Sequence, residues 1–439
     1  MGSIVIGAGI AGLVAAHELV KAGVETTIIE PGPIGGMIHT ESTGGFTLEC
    51  GPNVLVERPE LLDLLRELGL EGEIRYPSVM PYGQYVWHEG EPCLVPKSLM
   101  QLAKSPLFSW GFKVSLPLKL LKRGLLKPVA EDESVLQFFS RLLGERTTKI
   151  LLDPVLKGIY GGNVEDLSAR SIFPKLWDAA SAGKSLAQYM KERKGAGAPR
   201  TVVINGGMQT VTDTLWERLS GKVRVVAAAA STLSPLGGGG YKVTTTKGEE
   251  ITGERVVVTA SGKRLVRLTE TLEPQTAELM RTTPYATLAV VHLAVPRTEP
   301  LIPKAFGVLF PRGMPEHFLG VMFNSIIFPH VAPPDKHVLT VVLGGAQAGK
   351  FSPSEEVLTK NIPRLVEKLM KLPMTEWLGA ATWPDAIPQL NVGHFRTVAA
   401  IDSFEEKFPG VVVASVDRGG VGVSDRIRLA REAVGRLHI

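Results

Sequence analysis

The chain has 439 residues, 44% of them hydrophobic and 21% charged, with a formal net charge of +4. That length accommodates two or three domains around a large core and, with this composition, excludes a disordered chain. The small net charge argues against a nucleic-acid binder. The only two cysteines, Cys50 and Cys93, lie outside any CxxC, which argues against a disulfide scaffold and suits a reducing, cytoplasmic compartment.

In chain order, Ser3 to Ile6 is a short apolar run that predicts a buried parallel strand. It starts almost at the first residue, without the basic region, apolar stretch and cleavage site of a secretory leader, so none is expected. Next comes Gly7-x-Gly9-x-x-Gly12, spanning Ala8, Ile10 and Ala11, and then an alanine-rich helical pattern, Leu13 to Lys21, stopped by Gly23. A second strand, Thr26 to Ile29, ends at Glu30, 18 residues beyond Gly12. Three glycines alone could be a packing turn. Between strand and helix, they permit a tight turn, approach of a pyrophosphate to the helix N-terminus, and close helix–strand packing. Glu30 stands where a carboxylate accepts from a ribose diol. The expectation is dinucleotide binding. A second glycine pair follows in "PGPIGGMIHT", and "GFTLECGPNVL" predicts a strand leading into the turn Gly51-Pro52-Asn53. Such repeated glycine turns resemble a flavoprotein holding an elongated FAD more than a nicotinamide enzyme.

From Pro92 to Ala130 the chain carries seven bases and no acid. Leu118, Leu121 and Leu125 are expected on one helical face and Lys119, Arg123 and Lys127 on another, bracketed by Pro117 and Pro128. Two readings stand: an interfacial helix attracted to anionic headgroups, or an ordinary helix with a solvated lysine face. No apolar run approaches the roughly 18 residues of a spanning helix. "GAGAPRT" (195–201) reads as a linker and "PLGGGGYK" (235–242) as a turn between strands. "GEEITGERVVVTAS" reads as strands returning to the nucleotide domain, which is therefore expected to be discontinuous. "GGAQAGKF" has P-loop spacing (Gly344, Gly349, Lys350), but Phe351 stands where the magnesium-binding hydroxyl belongs, so a turn after "HVLTVVL" is expected. The nine histidines form no HExxH, HxxxH or Cys/His cluster, and there is no GxSxG. No metal site is expected, and the chemistry falls to a cofactor.

With these pieces in place, the chain resembles the protoporphyrinogen oxidase family of flavoproteins from end to end. The resemblance is carried by "GAGIAGL", "GGM", "ECGPN", "LLDPVLKGIYGGNVEDLSARSIFP" (151–174), "AFGVLFPRG" (305–313), "GVMFNSIIFP" (320–329), "AIPQLNVGH" and "GVGVSDRI" (420–427). It implies an α/β fold with three parts: a discontinuous Rossmann-like FAD-binding domain (1–80, 200–265, 376–439), a mixed α+β substrate domain (266–375), and an inserted, mainly helical membrane-associating domain (90–198). The implied reaction is FAD-dependent, oxygen-using oxidation of protoporphyrinogen IX, on the cytoplasmic side with peripheral membrane attachment; a homodimer is left open. For FAD, the resemblance points to Gly7 through Gly12, Glu30, Pro31, Gly36, Met37, Gly51, Pro52, Asn53, Val54, Ala230, Trp383, Val421, Gly422 and Val423. For the macrocycle it points to Gly158, Phe306, Leu309 and Val342, each of which also reads as turn or strand core. Cys93 stands where many members carry an arginine for a substrate carboxylate, with Lys97 or Arg312 as replacements. Ala230 replaces a valine whose main chain meets adenine. In "WPDAIPQLNVGH", Trp383 is expected beside the flavin, whereas His394 is expected to brace a loop through a main-chain carbonyl. Competing readings are a coproporphyrinogen III oxidase, a flavin amine oxidase, and a non-catalytic protein on a flavin fold.

Overall fold

The structure is a computed structural model that describes residues 2–437 except 81, 193–199, 300, 303, 347, 348 and 350. Most of the expected linker at 195–201, and Lys350 of the P-loop-like segment, lie outside the described residues. Gly344 ends its strand at φ +104°, the turn expected there.

Five short parallel strands form the central sheet, in the order Val223–Val226, Thr26–Ile29, Ser3–Ile6, Arg255–Val258, Val411–Val413. Their sequences are runs of β-branched residues because both faces are covered. Val5, Ile28, Val257 and Val412 feed a core under the helices Ile10–Lys21, Pro59–Leu68, Gln209–Leu219 and Val423–Gly435. Ile4, Ile6, Ile29, Val256 and Val258 feed a second core. There the antiparallel sheet Ala230–Pro235, Tyr241–Thr245, Glu250–Gly253 and the helices Lys263–Glu270, Pro274–Arg281 and His394–Lys407 pack. Strands from four distant parts of the chain thus share one sheet, and the first strand ends at the crevice where ligands of such sheets bind.

A second sheet has seven strands, in the order Glu376–Pro388, Tyr285–Pro296, Lys336–Gly344, Phe318–Met322, Ala305–Leu309, Gly83–His88, Glu91–Leu94. The last two correct the reading of 90 as the start of a helical segment. His88 pairs with Glu91 across a two-residue turn, and both turn residues, Glu89 (φ +51°) and Gly90 (φ +88°), are left-handed, as a tight hairpin requires. Cys93 is therefore on an edge strand. Helices from Leu99–Lys104 to Leu186–Glu192 follow, around a core of Val135, Phe138, Phe139, Leu142 and Trp177.

The leucine and lysine faces expected through Lys127 do not form. The helix runs Trp110–Leu121 with Pro117 inside it; Lys122 leaves helical geometry (ψ 115°) and Gly124 turns at φ +68°. Leu125 packs instead against the helical core.

Candidate active site

The N-terminal turn is built backbone against backbone. Gly7 has φ +106°, and a Cβ on Gly12 would fall 1.9 Å from the Gly7 carbonyl oxygen, so both positions require glycine. Above Gly9, the residue preceding the helix Ile10–Lys21, a Cβ would meet nothing within 4 Å; this is the space a phosphate needs beside free helix N–H groups. The Glu30 carboxylate accepts from Ala8 N–H at 2.7 Å and Gly32 N–H at 2.8 Å, which holds it over the turn next to exposed Pro31. Glu30 N–H donates to Val226 O at 3.1 Å, four residues before half-buried Ala230.

The glycine-pair loop closes the next side. Gly35 N–H donates to Ala8 O at 2.9 Å, Gly36 lies against Gly9, and the Met37 carbonyl oxygen lies against Gly51. Sequence reasoning missed a third glycine turn, Gly206-Gly207-Met208 (φ +80° and +97° at the glycines). Gly207 packs on Thr40, and Met208 N–H donates to Glu49 Oε1 at 2.7 Å. Its signal was present: a glycine pair between the strand Thr201–Ile204 and the helix Gln209–Leu219 repeats the N-terminal order.

On the far side, Val421 and Gly422 lead half-buried into the helix Val423–Gly435, with Val423 buried. Buried Arg426 donates to the carbonyls of Gly419 and Gly420, and burial lowers its guanidinium to about 10. Asp417, also buried, accepts from Tyr285 Oη at 2.6 Å, Ser415 Oγ at 2.5 Å and Gly262 N–H at 3.2 Å, joining the seven-stranded sheet to the parallel-sheet half of the chain. Burial first, and Asp417 second, push the Tyr285 phenol far above its ordinary value. His394 is buried with Nε2 2.8 Å from Asp417 O; burial lowers its pKa, and its role is the brace expected from the sequence.

Trp383 Nε1 donates to Cys50 O at 2.6 Å, tying the strand Glu376–Pro388 to the Gly51 turn. Within that turn, Asn53 Nδ2 donates to Gly51 O at 3.2 Å. Asn53 Oδ1 faces Asn324 Nδ2 at 3.4 Å, Asn324 Nδ2 donates to Thr340 Oγ1 at 3.2 Å, and Thr340 Oγ1 is 3.1 Å from His292 Nδ1. This polar stripe crosses a sheet face that is otherwise mostly apolar. Burial lowers His292 to about 4, so it is neutral near pH 7. No periodicity marks the stripe, because each member comes from a different segment.

The apolar wall lies on the same sheet face. Gly158 is not in a turn. It belongs to the last turn of the helix Glu145–Tyr160, where carbonyls lose their helical partners, and a Cβ there would fall 2.9 Å from Leu309 Cδ2. A register shift between Ala305 and Gly307 breaks strict alternation: Ala305, Val308 and Phe310 enter one core, while Phe306 and Leu309 stay outside it. Half-buried Val342 pairs with Gly320, which in turn lies against Leu309. Phe306 packs with the Tyr82 ring and, like Val54, against the core of Phe46, Leu48 and Phe328, and Pro52 is half-buried in the same turn as Val54.

Cys93 sits among Val86, Leu107, Phe108 and Phe112, and burial raises its thiol, with smaller contributions from Glu91 and Glu89. The substitute anchors are engaged elsewhere. Arg312 is bidentate to Asp153 (3.0 and 2.9 Å) and bonded to Glu165, so its charge is cancelled; Lys97 Nζ donates to Tyr82 O at 3.0 Å. Among the described residues, no helix is long and apolar enough to cross a membrane.

A strand–glycine turn–helix cradle with an acid over it, continued by two further glycine turns toward a second helix N-terminus, fits an extended dinucleotide. The chain matches the family of flavin containing amine oxidoreductases over residues 10–423 and belongs to it. FAD is accordingly its cofactor, and the chain is an FAD-dependent oxidoreductase. It is 28% identical to the mitochondrial protoporphyrinogen oxidase of Nicotiana tabacum, across 95% of this chain and 91% of that one. It is 25% identical to the coproporphyrinogen III oxidase of Bacillus subtilis (strain 168), across 98% and 96%. A crystal structure from Exiguobacterium sp. 255-15, provisionally named a protoporphyrinogen oxidase, superposes with a TM-score of 0.84 at 22% identity, covering 100% of this chain and 99% of that one. Cyclohexylamine oxidase from Brevibacterium oxydans IH-35A gives 0.72 at 15% identity, over 99% and 98%; these two likenesses speak to the fold alone.

Proposed function

We propose that the chain oxidises protoporphyrinogen IX to protoporphyrin IX in three two-electron steps, with oxygen as acceptor and one hydrogen peroxide formed per step. FAD, when bound, would supply the two-electron acceptor, and the two electrons and two protons lost by the macrocycle at each step reduce one O2 to one H2O2. The residues around Gly7–Gly12, Glu30, Gly36–Met37, Gly51–Val54, Ala230, Trp383 and Val421–Val423 hold it. The observation that carries this reading is the apolar wall of Leu309, Val342 and Phe306. It meets the Gly51–Val54 turn on one side and the close-packed Gly158 on the other. Such a wall suits a large, mostly apolar ring with few polar anchors. Gly158, without a side chain in the last turn of its helix, brings a main-chain carbonyl near the pyrrole N–H groups. The wall and the Trp383 strand position the ring and exclude water from it.

Protoporphyrinogen IX, with two propionates, is favoured over coproporphyrinogen III, with four. Cys93 lies in an apolar setting and Arg312 is ion-paired with Asp153 and Glu165, so of the three candidate anchors Lys97, bonded to the Tyr82 carbonyl, keeps an uncancelled charge, which suits fewer carboxylates rather than four. The test is side-by-side kinetics of purified, flavin-loaded protein on both porphyrinogens, read by porphyrin fluorescence under oxygen. A higher kcat/KM for protoporphyrinogen IX is expected; a clear preference for coproporphyrinogen III would overturn the substrate assignment.

The helix Trp110–Leu121 supports peripheral attachment to an anionic membrane, on its cytoplasmic face. Trp110, Val114, Leu118 and Leu121, each at least 66% exposed, recur at helical spacing, with Lys113, Lys119 and Lys122 beside them.

A further inference from the structure

The hairpin Thr40–Thr43 with Phe46–Glu49 carries a group of side chains that the flavin reading leaves unused. Thr40 stands opposite Glu49, and the pairing continues outward one residue, with Cys50 N–H donating to His39 O at 2.9 Å. Side chains alternate across a hairpin, so His39, Glu41 and Cys50 share one face while Thr40 and Glu49 bond each other on the other. Imidazole nitrogen, carboxylate oxygen and thiol sulfur all come within 4.8 Å of one another, with His39 Nε2 3.6 Å from Glu41 Oε1.

Gln209, from a different element, decides which imidazole nitrogen is free. Its Oε1 accepts Thr40 N–H at 3.0 Å and stands 3.1 Å from His39 Nδ1. An oxygen held this way accepts again, so in the neutral ring Nδ1 bears the proton and Nε2 turns its lone pair toward Glu41 and Cys50. A lone pair, a carboxylate and a thiol that converge in this way can share one cation. An outer hydrogen bond that fixes the tautomer is the usual companion of a metal-bound histidine.

We propose that His39 Nε2, the Glu41 carboxylate and Cys50 Sγ bind one Zn²⁺ ion, with water in the fourth position. Nitrogen, oxygen and sulfur together suit this borderline-soft cation. Binding replaces the thiol proton, which leaves as one H⁺, and no electrons move. The ion clamps the hairpin that delivers the Gly51 turn, since the Cys50 carbonyl already receives Trp383. No sequence motif announces the site, because its ligands come from two strands.

Zn²⁺ alone is titrated into flavin-loaded protein against a chromophoric chelator, and the bound ion is examined by zinc-edge X-ray absorption. One ion per chain is expected, with a sulfur at about 2.3 Å. His39→Ala and Glu41→Gln, at exposed positions that leave folding intact, should weaken binding at least tenfold, and Gln209→Ala about tenfold. Cys50→Ser should remove the sulfur signal and Cys93→Ser should leave it. Absence of stoichiometric binding, unchanged affinity in His39→Ala, or sulfur scattering that survives Cys50→Ser would each overturn the proposal. If Cys50→Ser fails to fold, the His39 and Glu41 variants decide. None of these readouts depends on which porphyrinogen is oxidised.

Discussion

Glu49 is 7% exposed beneath the Gly51 turn, and burial pushes its carboxyl up to about 7 against the opposing bonds from Met208 N–H and Thr40 Oγ1. A carboxyl raised in this way holds its proton in the folded chain over a range where the unfolded chain, near 4.5, has released it. Its contribution to stability is therefore complete below about pH 4.5 and is lost as pH rises through 7, a span of roughly 3 kcal/mol at most. His292, lowered to about 4, acts in the opposite sense: its contribution is present above about pH 6.5 and is lost as pH falls toward 4. The two effects partly cancel in the intact protein, so the variant is the informative measurement. Glu49→Gln, followed by denaturant unfolding, should gain stability relative to the parent as pH rises from about 5 to about 8. A difference that is flat with pH would mean that Glu49 titrates normally.

At the scale of elements, the helix Trp110–Leu121 is unusual in burying only Phe112 fully among its residues while presenting four large apolar side chains to solvent. A stripe of that kind on a surface helix marks an interaction face. Bases beside it and Trp110 at one end fit the boundary between headgroups and acyl chains better than a protein groove. Vesicles of phosphatidylcholine and phosphatidylserine should co-sediment the protein at low ionic strength, and added salt should release part of it. Val114→Glu with Leu118→Glu should keep it in the supernatant while changing stability by no more than about 0.5 kcal/mol per substitution, because both sites are exposed. Equal sedimentation of parent and variant would remove this helix as the contact.

At the scale of the whole molecule, the proposed FAD site draws on the parallel sheet, the hairpin at 40–49, the seven-stranded sheet through Trp383, and the last helix. A ligand that binds only the folded chain stabilises it by mass action, about 2.7 kcal/mol at a hundredfold excess over Kd. Deflavinated protein should therefore unfold at a lower temperature, and added FAD, but not NAD, should restore Tm. A Tm indifferent to FAD would contradict a cofactor that joins these parts.

What the sequence determined by itself was local. Strand, glycine turn, helix and acid at the N-terminus span only residues 3–30, and each step there follows from short-range sterics and hydrogen bonding, so the cradle was legible from spacing. His394 was likewise readable as a brace through turn chemistry, while Trp383 was singled out by resemblance alone. Only the tertiary structure decided what depends on register and crossing. It brought Leu309 against Gly158, linked Asn53 to Asn324 across 271 positions, and committed Arg312 to Asp153 across 159. It also ended the basic helix at Leu121 and placed residues 83–94 in the seven-stranded sheet. Such contacts carry no periodic signal, because strand pairing and domain packing select partners by shape and burial after the local elements have formed.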